Sequence, residues 1–405
     1  MSKIQSANGS YFKLIMAMQL VLAFVLFVFS IDLLTYSLGT FSNDVTKDIF
    51  TATLNPFVGL FIGLLMTAMF QSSSMITAMV VAVVASGSLS LIQAVPVIMG
   101  ANIGTTLTST LVSFTFIMKR NEFKRALAAG VLHDIFNILT VIILFPLELY
   151  FGFLSYFSEY LTHTFFAADD PTKSEFIYNV LITRPFTLWI TQLFAQPILW
   201  FILAILLVFG SIKILSETVY KAFLSTHFKN LSEHVFKAPL LTFIYGILFT
   251  AAVQSSTVTT SLVVPAVATR KIKLAKIFPF IIGANMGTTI TAIIAAIYKT
   301  EAAISIAIVH VIINLIGALI FLPFPAIRHI PVMIASFFGR ISINKKYVSL
   351  AYILMTFFII PFLLIYFNKK DDVQVHDARS KEKNKEILVP KKTHLDKSAT
   401  QQLFF

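Results

Sequence analysis

Two short polar runs interrupt a very apolar chain: FQSSSMIT, from Phe70 to Thr77, and VQSSTVTT, from Val253 to Thr260. Unpaired polar groups are costly in an apolar interior, so a glutamine followed by several hydroxyl side chains needs a reason there. A single run could be an accident at a helix boundary. Two runs of nearly the same sequence point to one structural device that is used twice.

The composition around these runs is that of a membrane protein. Of the 405 residues, 57 % are hydrophobic and 12 % are charged, and the mean hydropathy is +0.84. Soluble domains average about 25 % charged residues. Several apolar segments approach 20 residues, the length that crosses a bilayer core of about 30 Å, and none shows the short alternation of a β-barrel. The predicted fold class is therefore an all-α polytopic membrane protein.

The net charge of +12 does not indicate a nucleic-acid partner. The basic residues lie between apolar spans and in the C-terminal tail, as expected for loops on the cytoplasmic side of a membrane. The absence of cysteine excludes disulfides. The first apolar segment, 14–34, is too long for the core of a signal peptide and is predicted to be a retained helix.

The chain contains an internal duplication. Gly63–Thr108 aligns with Gly246–Thr291 at a constant offset of 183 residues, and 22 of the 46 positions are identical. Polar residues match at fixed spacing, in particular the two QSS triplets and a GANxGTT motif that begins at Gly100 and at Gly283. The matching polar residues indicate two structural repeats in one chain.

The repeats predict the organisation of the whole sequence. The predicted segments are an N-terminal segment with a first membrane helix (1–43), repeat 1 (44–150), an external loop (151–186), a membrane helix with a basic loop (187–237), repeat 2 (238–345), a last membrane helix (346–368) and a charged, disordered tail (369–405).

The apolar arms beside each QSS run are too short to span a bilayer comfortably. Leu54–Phe70 and Met75–Gly87 would be helices of roughly 25 and 20 Å, so each run is predicted to be the tip of a re-entrant hairpin or the break in a discontinuous helix. The positions of the basic loops predict that the first hairpin enters the membrane from the outside and the second from the inside. The copies are therefore predicted to be inverted, as in many secondary transporters with a binding site at the midplane.

Hydroxyl and amide groups without a fixed charge can bind an oxyanion through their donors and an alkali cation through their oxygens. Helix N-termini add N–H groups and positive partial charge. The residues predicted to bind the anion lie in the QSS runs and the GANxGTT motifs: Gln71, Ser72, Ser73, Ser74, Asn102, Thr105, Gln254, Ser255, Ser256, Thr257, Asn285 and Thr288.

Two pairs of hydroxyls have the spacing of one helix face. Ser73 with Thr77 and Ser256 with Thr260 are i, i+4 pairs, suited to Na⁺ coordination beside the anion. Neither motif contains arginine, so bound Na⁺ would balance the charge of the anion. The alternative is that these hydroxyls only pack helices together or bond to their own helix backbone.

A second polar group accompanies each repeat as HDIFN and HVIIN. Their histidines and asparagines are too few for a metal site, and we expect them to join helices around the hairpins by hydrogen bonds. An intramembrane aspartate within the first of these sequences is a functional candidate by default. The residues predicted to form this supporting shell are His133, Asp134, Asn137, His310 and Asn314.

The sequence resembles the type II sodium-dependent phosphate cotransporters, whose hallmark is a pair of inverted QSSS repeats. The resemblance rests on QSSS at Gln71, QSST at Gln254, VPVIMGANIGT from Val95 and LHDIFN from Leu132, and on later motifs. The later motifs are FPLE from Phe145, GANMGTT from Gly283 and FLPFPAIRHIP from Phe321. The resemblance to this family covers about residues 44–345.

The resemblance implies Na⁺-coupled symport of inorganic phosphate by alternating access, with phosphate and Na⁺ bound by the QSS motifs and Thr260. Charge-moving members have an aspartate before the first hairpin, which implies Asp48 as a ligand of an extra Na⁺ and electrogenic transport of divalent phosphate. The short, cysteine-free loop where animal members have a large one implies a bacterial inner-membrane protein.

Other functions remain open at this stage. The same hydroxyls suit another small oxyanion or a dicarboxylate, and a membrane scaffold or sensor would not transport anything. An intramembrane hydrolase is disfavoured because the chain lacks a Gly-x-Ser-x-Gly elbow, so no enzyme activity and no resident cofactor is predicted. The expected partners are phosphate, Na⁺ and the lipid bilayer. The sequence leaves the oligomeric state open.

Overall fold

The computed structural model describes seven stretches of the chain, and every regular element in them is helical. The described residues are 2–40, 53–166, 183–193, 196–224, 235–297, 299–343 and 347–367. Together with the membrane-spanning helices below, this confirms the all-α polytopic fold class. Asp48, the aspartate implied as a sodium ligand, lies outside the described residues.

Fifteen α-helices are found in these stretches. They are α1 (Ser2–Gly39), α2 (Pro56–Phe70), α3 (Ser73–Ala85), α4 (Leu91–Gly104), α5 (Leu107–Ser113), α6 (Arg120–Phe151), α7 (Phe153–Phe166), α8 (Arg184–Leu193), α9 (Pro197–Leu224), α10 (Pro239–Val253), α11 (Ser256–Ala268), α12 (Leu274–Ala296), α13 (Glu301–Phe321), α14 (Pro325–Ile341) and α15 (Tyr347–Leu354). A 3₁₀ turn, Phe114–Phe116, follows α5, and a π-helical turn, Met355–Ile359, continues α15.

Seven helical segments among the described residues are long and apolar enough to cross a membrane. They are Leu14–Gly39, Leu91–Phe116, Arg120–Phe151, Pro197–Thr218, Leu274–Ala296, Glu301–Phe321 and Tyr347–Phe367. The four helices beside the QSS runs, α2, α3, α10 and α11, are apolar but only 13 to 15 residues long. At 1.5 Å per residue each covers roughly 20 Å, less than a bilayer core.

Glycines let the helices of each repeat approach at backbone distance. A Cβ on Gly63 would collide with the carbonyl of Val97, and a Cβ on Gly100 would collide with that of Leu60, so α2 and α4 touch through their backbones. The second repeat packs α10 against α12 in the same way, through Gly246 and Gly283. Gly246 and Gly283 correspond to Gly63 and Gly100 at the offset of 183 residues found in the sequence. The duplicated glycines therefore fix the helix pair that supports each hairpin.

The two repeats also pack across each other in corresponding pairs. Helix α6 of repeat 1 packs on α14, and α13 of repeat 2 packs on α7. Phe136 on α6 contacts Phe278 and Phe321 edge to face, with ring centroids 5.8 and 5.6 Å apart, so the core joins both repeats. The inverted orientation of the copies stays a prediction.

The segment 151–186 differs from the predicted external loop because α7 lies within it. Gly152 ends α6 in the left-handed conformation (φ 59°). The Glu148 carboxylate then accepts from the backbone amides of Leu154 and Ser155, at 2.7 and 3.2 Å, in the first turn of α7. A carboxylate at a helix N-terminus satisfies amides that have no partner within the helix, and this starts α7 immediately after α6.

A buried ion cluster that the sequence analysis did not anticipate joins three separate segments. The carboxylate of Asp32 on α1 lies 3.4 Å from both Arg184 Nη1 and Lys299 Nζ, and it accepts from the Thr187 hydroxyl at 2.7 Å. Burial lowers the pKa of the Lys299 ammonium, an effect that Asp32 opposes. The only signal in the sequence was an aspartate inside an otherwise apolar span.

Candidate functional site

Both QSS runs form the same two-residue connection between helices. Helix α2 ends at Phe70, and the next residue, Gln71, has φ 56°. Ser72 is extended, and its hydroxyl caps α3 by accepting from the amide of Met75 at 3.4 Å. In repeat 2, Gln254 also has φ 56°, and Ser255 caps α11 in the same way. A left-handed glutamine is uncommon. Its presence at both positions shows that the duplicated sequence encodes one backbone turn.

The tips of the two hairpins are in direct contact. The hydroxyl of Thr257 donates to the carbonyl of Gln71 at 3.1 Å. The hydroxyl of Thr105, in the GANxGTT motif of repeat 1, lies 3.5 Å from those of Ser256 and Thr257. The structure therefore brings together three segments that were predicted to bind the anion: the two tips and the GANxGTT motif at the end of α4.

A second contact lies one helical turn further along α11. The hydroxyl of Thr260 hydrogen-bonds that of Ser109 at 2.7 Å and also donates to the Ser256 carbonyl at 2.9 Å. Ser109 was not predicted as a site residue. The available signal was its position four residues after Thr105, which places both hydroxyls on one side of the chain after Asn102.

The GANxGTT asparagines are held by histidines of the opposite repeat. Nε2 of His310 lies 3.1 Å from Oδ1 of Asn102, and Nε2 of His133 lies 2.6 Å from Oδ1 of Asn285. All four side chains are buried. The sequence predicted that these histidines join helices by hydrogen bonds, and their supporting role stays a prediction. The crossing of the pairs between repeats was not foreseen.

The two HDIFN-type asparagines differ in their contacts. Asn137 donates to the backbone carbonyl of Asn102 at 2.6 Å and accepts from the amide of Asn285, so it links α4, α6 and α12. Asn314 donates only to the carbonyl of His310 within its own helix, at 3.0 Å. The supporting network is thus centred on α6.

Asp134, on the same helix, is fully buried. One carboxylate oxygen, Oδ2, accepts from the hydroxyls of Thr110 and Tyr352, at 2.9 and 3.1 Å. The other, Oδ1, has no hydrogen-bond partner among the residues that the structure describes. Tyr352 lies on α15, beyond the predicted repeats, so nothing in the duplicated pattern pointed to it. The arrangement leaves a carboxylate oxygen available for a cation.

The two tips differ in how many of their polar groups are already paired. In repeat 1 the buried hydroxyls of Ser74 and Thr77 have no hydrogen-bond partner within the described stretches of the chain. In repeat 2 the side chain of Gln254 accepts from Thr291 and donates to the carbonyl of Ala251 at 2.5 Å. The remaining predicted residues do not reach across the site. Gln71 is exposed and Ser73 is buried. The hydroxyl of Thr288 donates to the carbonyl of Asn285, three residues earlier in the same helix, at 2.6 Å.

A family model described as Na+/Pi-cotransporter matches residues 26–152 and 206–337, which is more than half of the chain. The chain belongs to the Na⁺/Pi-cotransporter family. Both matched ranges contain one QSS tip and one GANxGTT motif, so the family match and the contacts between the tips concern the same residues. The resemblance seen in the sequence is thereby confirmed.

Two curated members of this family show how far the similarity reaches. The chain is 28 % identical to sodium-dependent phosphate transport protein 2A of Mus musculus, over 85 % of this chain and 66 % of the relative. It is 27 % identical to sodium-dependent phosphate transport protein 2B of Homo sapiens, over 83 % of this chain and 62 % of the relative. The chain thus spans less than two thirds of the length of these relatives. No solved structure matches it.

Proposed function

We propose that the chain is a secondary active symporter that imports inorganic phosphate together with Na⁺. The family and the printed names of the relatives support this substrate and this coupling ion. The observation that carries the proposal is the meeting of two hydroxyl-bearing tips, one from each repeat, at Thr257 and Gln71. A site shared by two copies is what alternating access requires, because each copy can move relative to the other.

The proposed phosphate site consists of the QSS and GANxGTT residues named above. Each tip offers hydroxyl donors and the N-terminus of a helix, at Ser73 and at Ser256, which attract an oxyanion. Among the described residues, the hydrogen bonds that join the tips come from hydroxyl groups and not from lysine or arginine. Phosphate bound there needs its charge balanced, and Na⁺ in the same site supplies that balance.

We place the Na⁺ ions beside these hydroxyls. Ser73 with Thr77, and Ser256 with Thr260, provide oxygens at i, i+4 spacing, and the unpaired hydroxyl of Thr77 supports the first position. The partner-free oxygen of Asp134 supports a further cation position close to Thr110. Asp48 stays a proposed ligand of an extra Na⁺ that makes transport of divalent phosphate electrogenic.

The proposal has further parts, which rest on the charges of the loops and on the short, cysteine-free connection between the repeats. The two repeats are inverted, the chain resides in a bacterial inner membrane, and it carries out transport and not an enzymatic reaction. It needs Na⁺ as the coupling ion and no resident cofactor. Nucleic acid is not a partner.

The test is uptake of ³²P-phosphate into proteoliposomes that contain the purified full chain, with an inward gradient of Na⁺ or of K⁺ and a clamped membrane potential. We expect uptake only with Na⁺, and a faster rate when the inside is negative. Uptake that depends on Na⁺ but ignores the potential would remove electrogenic transport. No uptake by a folded, correctly inserted preparation would exclude phosphate as the substrate.

Competition and substitution make the test specific. Excess sulfate or a dicarboxylate should leave labelled phosphate uptake unchanged, and strong inhibition by either would favour the alternative substrate class. Thr257→Val removes the hydroxyl that joins the tips. We expect phosphate uptake to fall about tenfold, because losing one hydrogen bond to a charged ligand has roughly this effect. Thr164→Val is the matched control, because its exposed hydroxyl donates to the Tyr160 carbonyl within its own helix, away from the tips.

A further inference from the structure

A basic cavity lies away from the tips, at the start of α6. Its volume is about 600 Å³, and it is enclosed by α6, by the turn between α11 and α12, and by α14. Five of the residues that line it are cationic: Lys124, Arg125, Arg270, Lys273 and Arg340. Between them lie apolar residues such as Val267, Ile272 and Leu274. The cavity therefore combines an apolar lining with a high positive charge.

Within the described stretches, none of these five cations forms an ion pair with an acidic side chain. The acidic residue nearest to them along α6, Glu122, pairs with Lys119 instead, at 3.4 Å. Arg125 is held in place because its Nε donates to the carbonyl of Ala268 at 2.7 Å, which leaves the rest of its guanidinium group available. Like charges held this close repel one another, and an anion in the cavity would relieve that repulsion.

The backbone around the cavity is arranged to bring these side chains together. Arg270 has φ 63°, the left-handed conformation that usually selects glycine after a helix. Amides of the same turn, those of Arg270 and Lys271, bond back to the carbonyls of Val267 and Ala266 at 3.1 and 2.9 Å. An arginine kept at a position where glycine would be less strained indicates that its side chain is used.

Helix α14 relates the cavity to the membrane surface. Its buried face contains Val332, Ala335 and Gly339, and its exposed residues include Ile330, Met333 and Phe337. An amphipathic helix with exposed apolar residues and a basic end lies in the headgroup region of a bilayer. The positive-inside rule predicts the cytoplasmic side for this end of the molecule, and basic pockets between helices on that side bind anionic headgroups.

We propose that this cavity binds the phosphate group of an anionic phospholipid. The required chemistry is a phosphate-bearing anion, which a lipid headgroup and free inorganic phosphate both supply. The apolar lining and the exposed apolar residues of α14 favour the lipid, since its acyl chains can cover them. The bound headgroup ties α6 of repeat 1 to the α11–α12 turn and α14 of repeat 2. This site is independent of the proposed transport site at the tips.

The experiment uses the purified full chain in a neutral detergent, in a potassium buffer so that a Na⁺-dependent site is not loaded. Phosphatidylglycerol is titrated against thermal unfolding, with phosphatidylcholine as the uncharged comparison. We expect phosphatidylglycerol alone to raise the unfolding temperature. The variant R270G/K273Q removes two cavity cations and should require roughly 30-fold more lipid, at about a factor of five for each charge.

The variant R270G/K273Q is suited to the test because glycine adopts the left-handed conformation of position 270 without strain, so the turn should be retained. The control is K213Q/K237Q, which removes two exposed cations that do not line the cavity. It should respond to phosphatidylglycerol like the unaltered chain. The same lipid response in both double variants would overturn the proposal.

Inorganic phosphate is the second arm of the experiment, at an ionic strength matched with chloride. The lipid assignment requires that it leave the unfolding temperature unchanged. If inorganic phosphate reproduces the stabilisation, and R270G/K273Q abolishes that effect, the cavity takes a free anion and the lipid assignment is overturned. If neither lipid nor phosphate stabilises the chain, no phosphate site exists there.

Discussion

The crossed asparagine–histidine pairs give a sharp prediction about how the two repeats are joined. In His133→Leu, Oδ1 of the buried Asn285 loses its donor, while the amide of Asn285 keeps its bond to Asn137. An unsatisfied buried acceptor costs about 1–3 kcal/mol. Hydrogen bonds between membrane helices, measured as couplings, average about 0.6 kcal/mol and reach about 1.7. We therefore expect a coupling of about 1 kcal/mol between His133 and Asn285.

The second pair should be weaker. Nε2 of His310 lies 3.1 Å from Oδ1 of Asn102, against 2.6 Å in the first pair. Nδ2 of Asn102 has no hydrogen-bond partner among the described residues. Fewer bonds hold this asparagine in place, so its side chain can rotate when the histidine is lost. We expect a coupling of about 0.5 kcal/mol, near the average for such bonds.

The measurement is a double-mutant cycle for each pair, with His→Leu and Asn→Ala substitutions, by reversible unfolding in mixed micelles followed by circular dichroism. The control cycle combines His133 with Asn102, which share no direct hydrogen bond. Its coupling should be near zero and smaller than the couplings of both true pairs. Couplings near zero in both true pairs, or an equal coupling in the control, would refute the crossed arrangement.

Three further predictions concern single positions. Thr260→Val removes the hydroxyl bonded to Ser109 and should raise the Na⁺ concentration for half-maximal ³²P-phosphate uptake about tenfold; an unchanged value would exclude Thr260 as a ligand. Gly100→Ala drives a Cβ into the Leu60 carbonyl and should cost at least 1–3 kcal/mol by thermal unfolding, about the cost of overpacking. Gly210→Ala, with open space around it, should cost nothing, and equal losses would refute the close approach. Asp32→Asn removes the carboxylate that two cations contact and should cost about 3–5 kcal/mol in the same assay, more than Lys299→Met; the reverse order would contradict the ion cluster.

Much of the fold could be predicted because the duplicated residues act locally. The glutamine–serine pair determines where each helix ends and the next begins, and the glycines at 63 and 100 determine which helices touch. Each end of the two predicted hairpin arms lies within two residues of the corresponding end of α2 or α3. Helix α7 was missed because its start depends on Glu148, a side chain from the preceding helix, and no local pattern shows that contact.

The membership of the site stays a prediction, and the pairings between its residues were not foreseen. Hydroxyl and amide residues repeated at a fixed offset identify the tips, since few other reasons keep them in an apolar chain. Which asparagine meets which histidine depends on how the two repeats pack. That information lies in contacts between residues about 150 to 210 positions apart, such as His133 with Asn285 and His310 with Asn102. Asp32 and Tyr352 lie outside the duplication, so the repeat gave no indication of their partners.

The duplication has kept the backbone of the tips while changing their polar contacts. In repeat 2, Thr250 donates to Thr259 at 2.9 Å, so the hydroxyls of the two arms satisfy each other. The corresponding pair in repeat 1 is Thr67 and Ile76, and the buried hydroxyl of Thr67 has no hydrogen-bond partner in the described part of the chain. Together with Gln254, this pairs more polar groups in the second tip than in the first, although the Ser261 hydroxyl on α11 also has no partner among the described residues.

This difference bears on the proposed transport cycle. A polar group that already has a partner must give up a hydrogen bond to bind an ion, whereas an unpaired buried group gains one. Ligand binding should therefore stabilise the first tip more than the second. Hydrogen exchange in the presence of Na⁺ and phosphate should slow more at the amides of α3 than at those of α11. Equal protection of both helices would mean that the two tips share the ligand evenly, and that the unpaired hydroxyls of repeat 1 serve only packing.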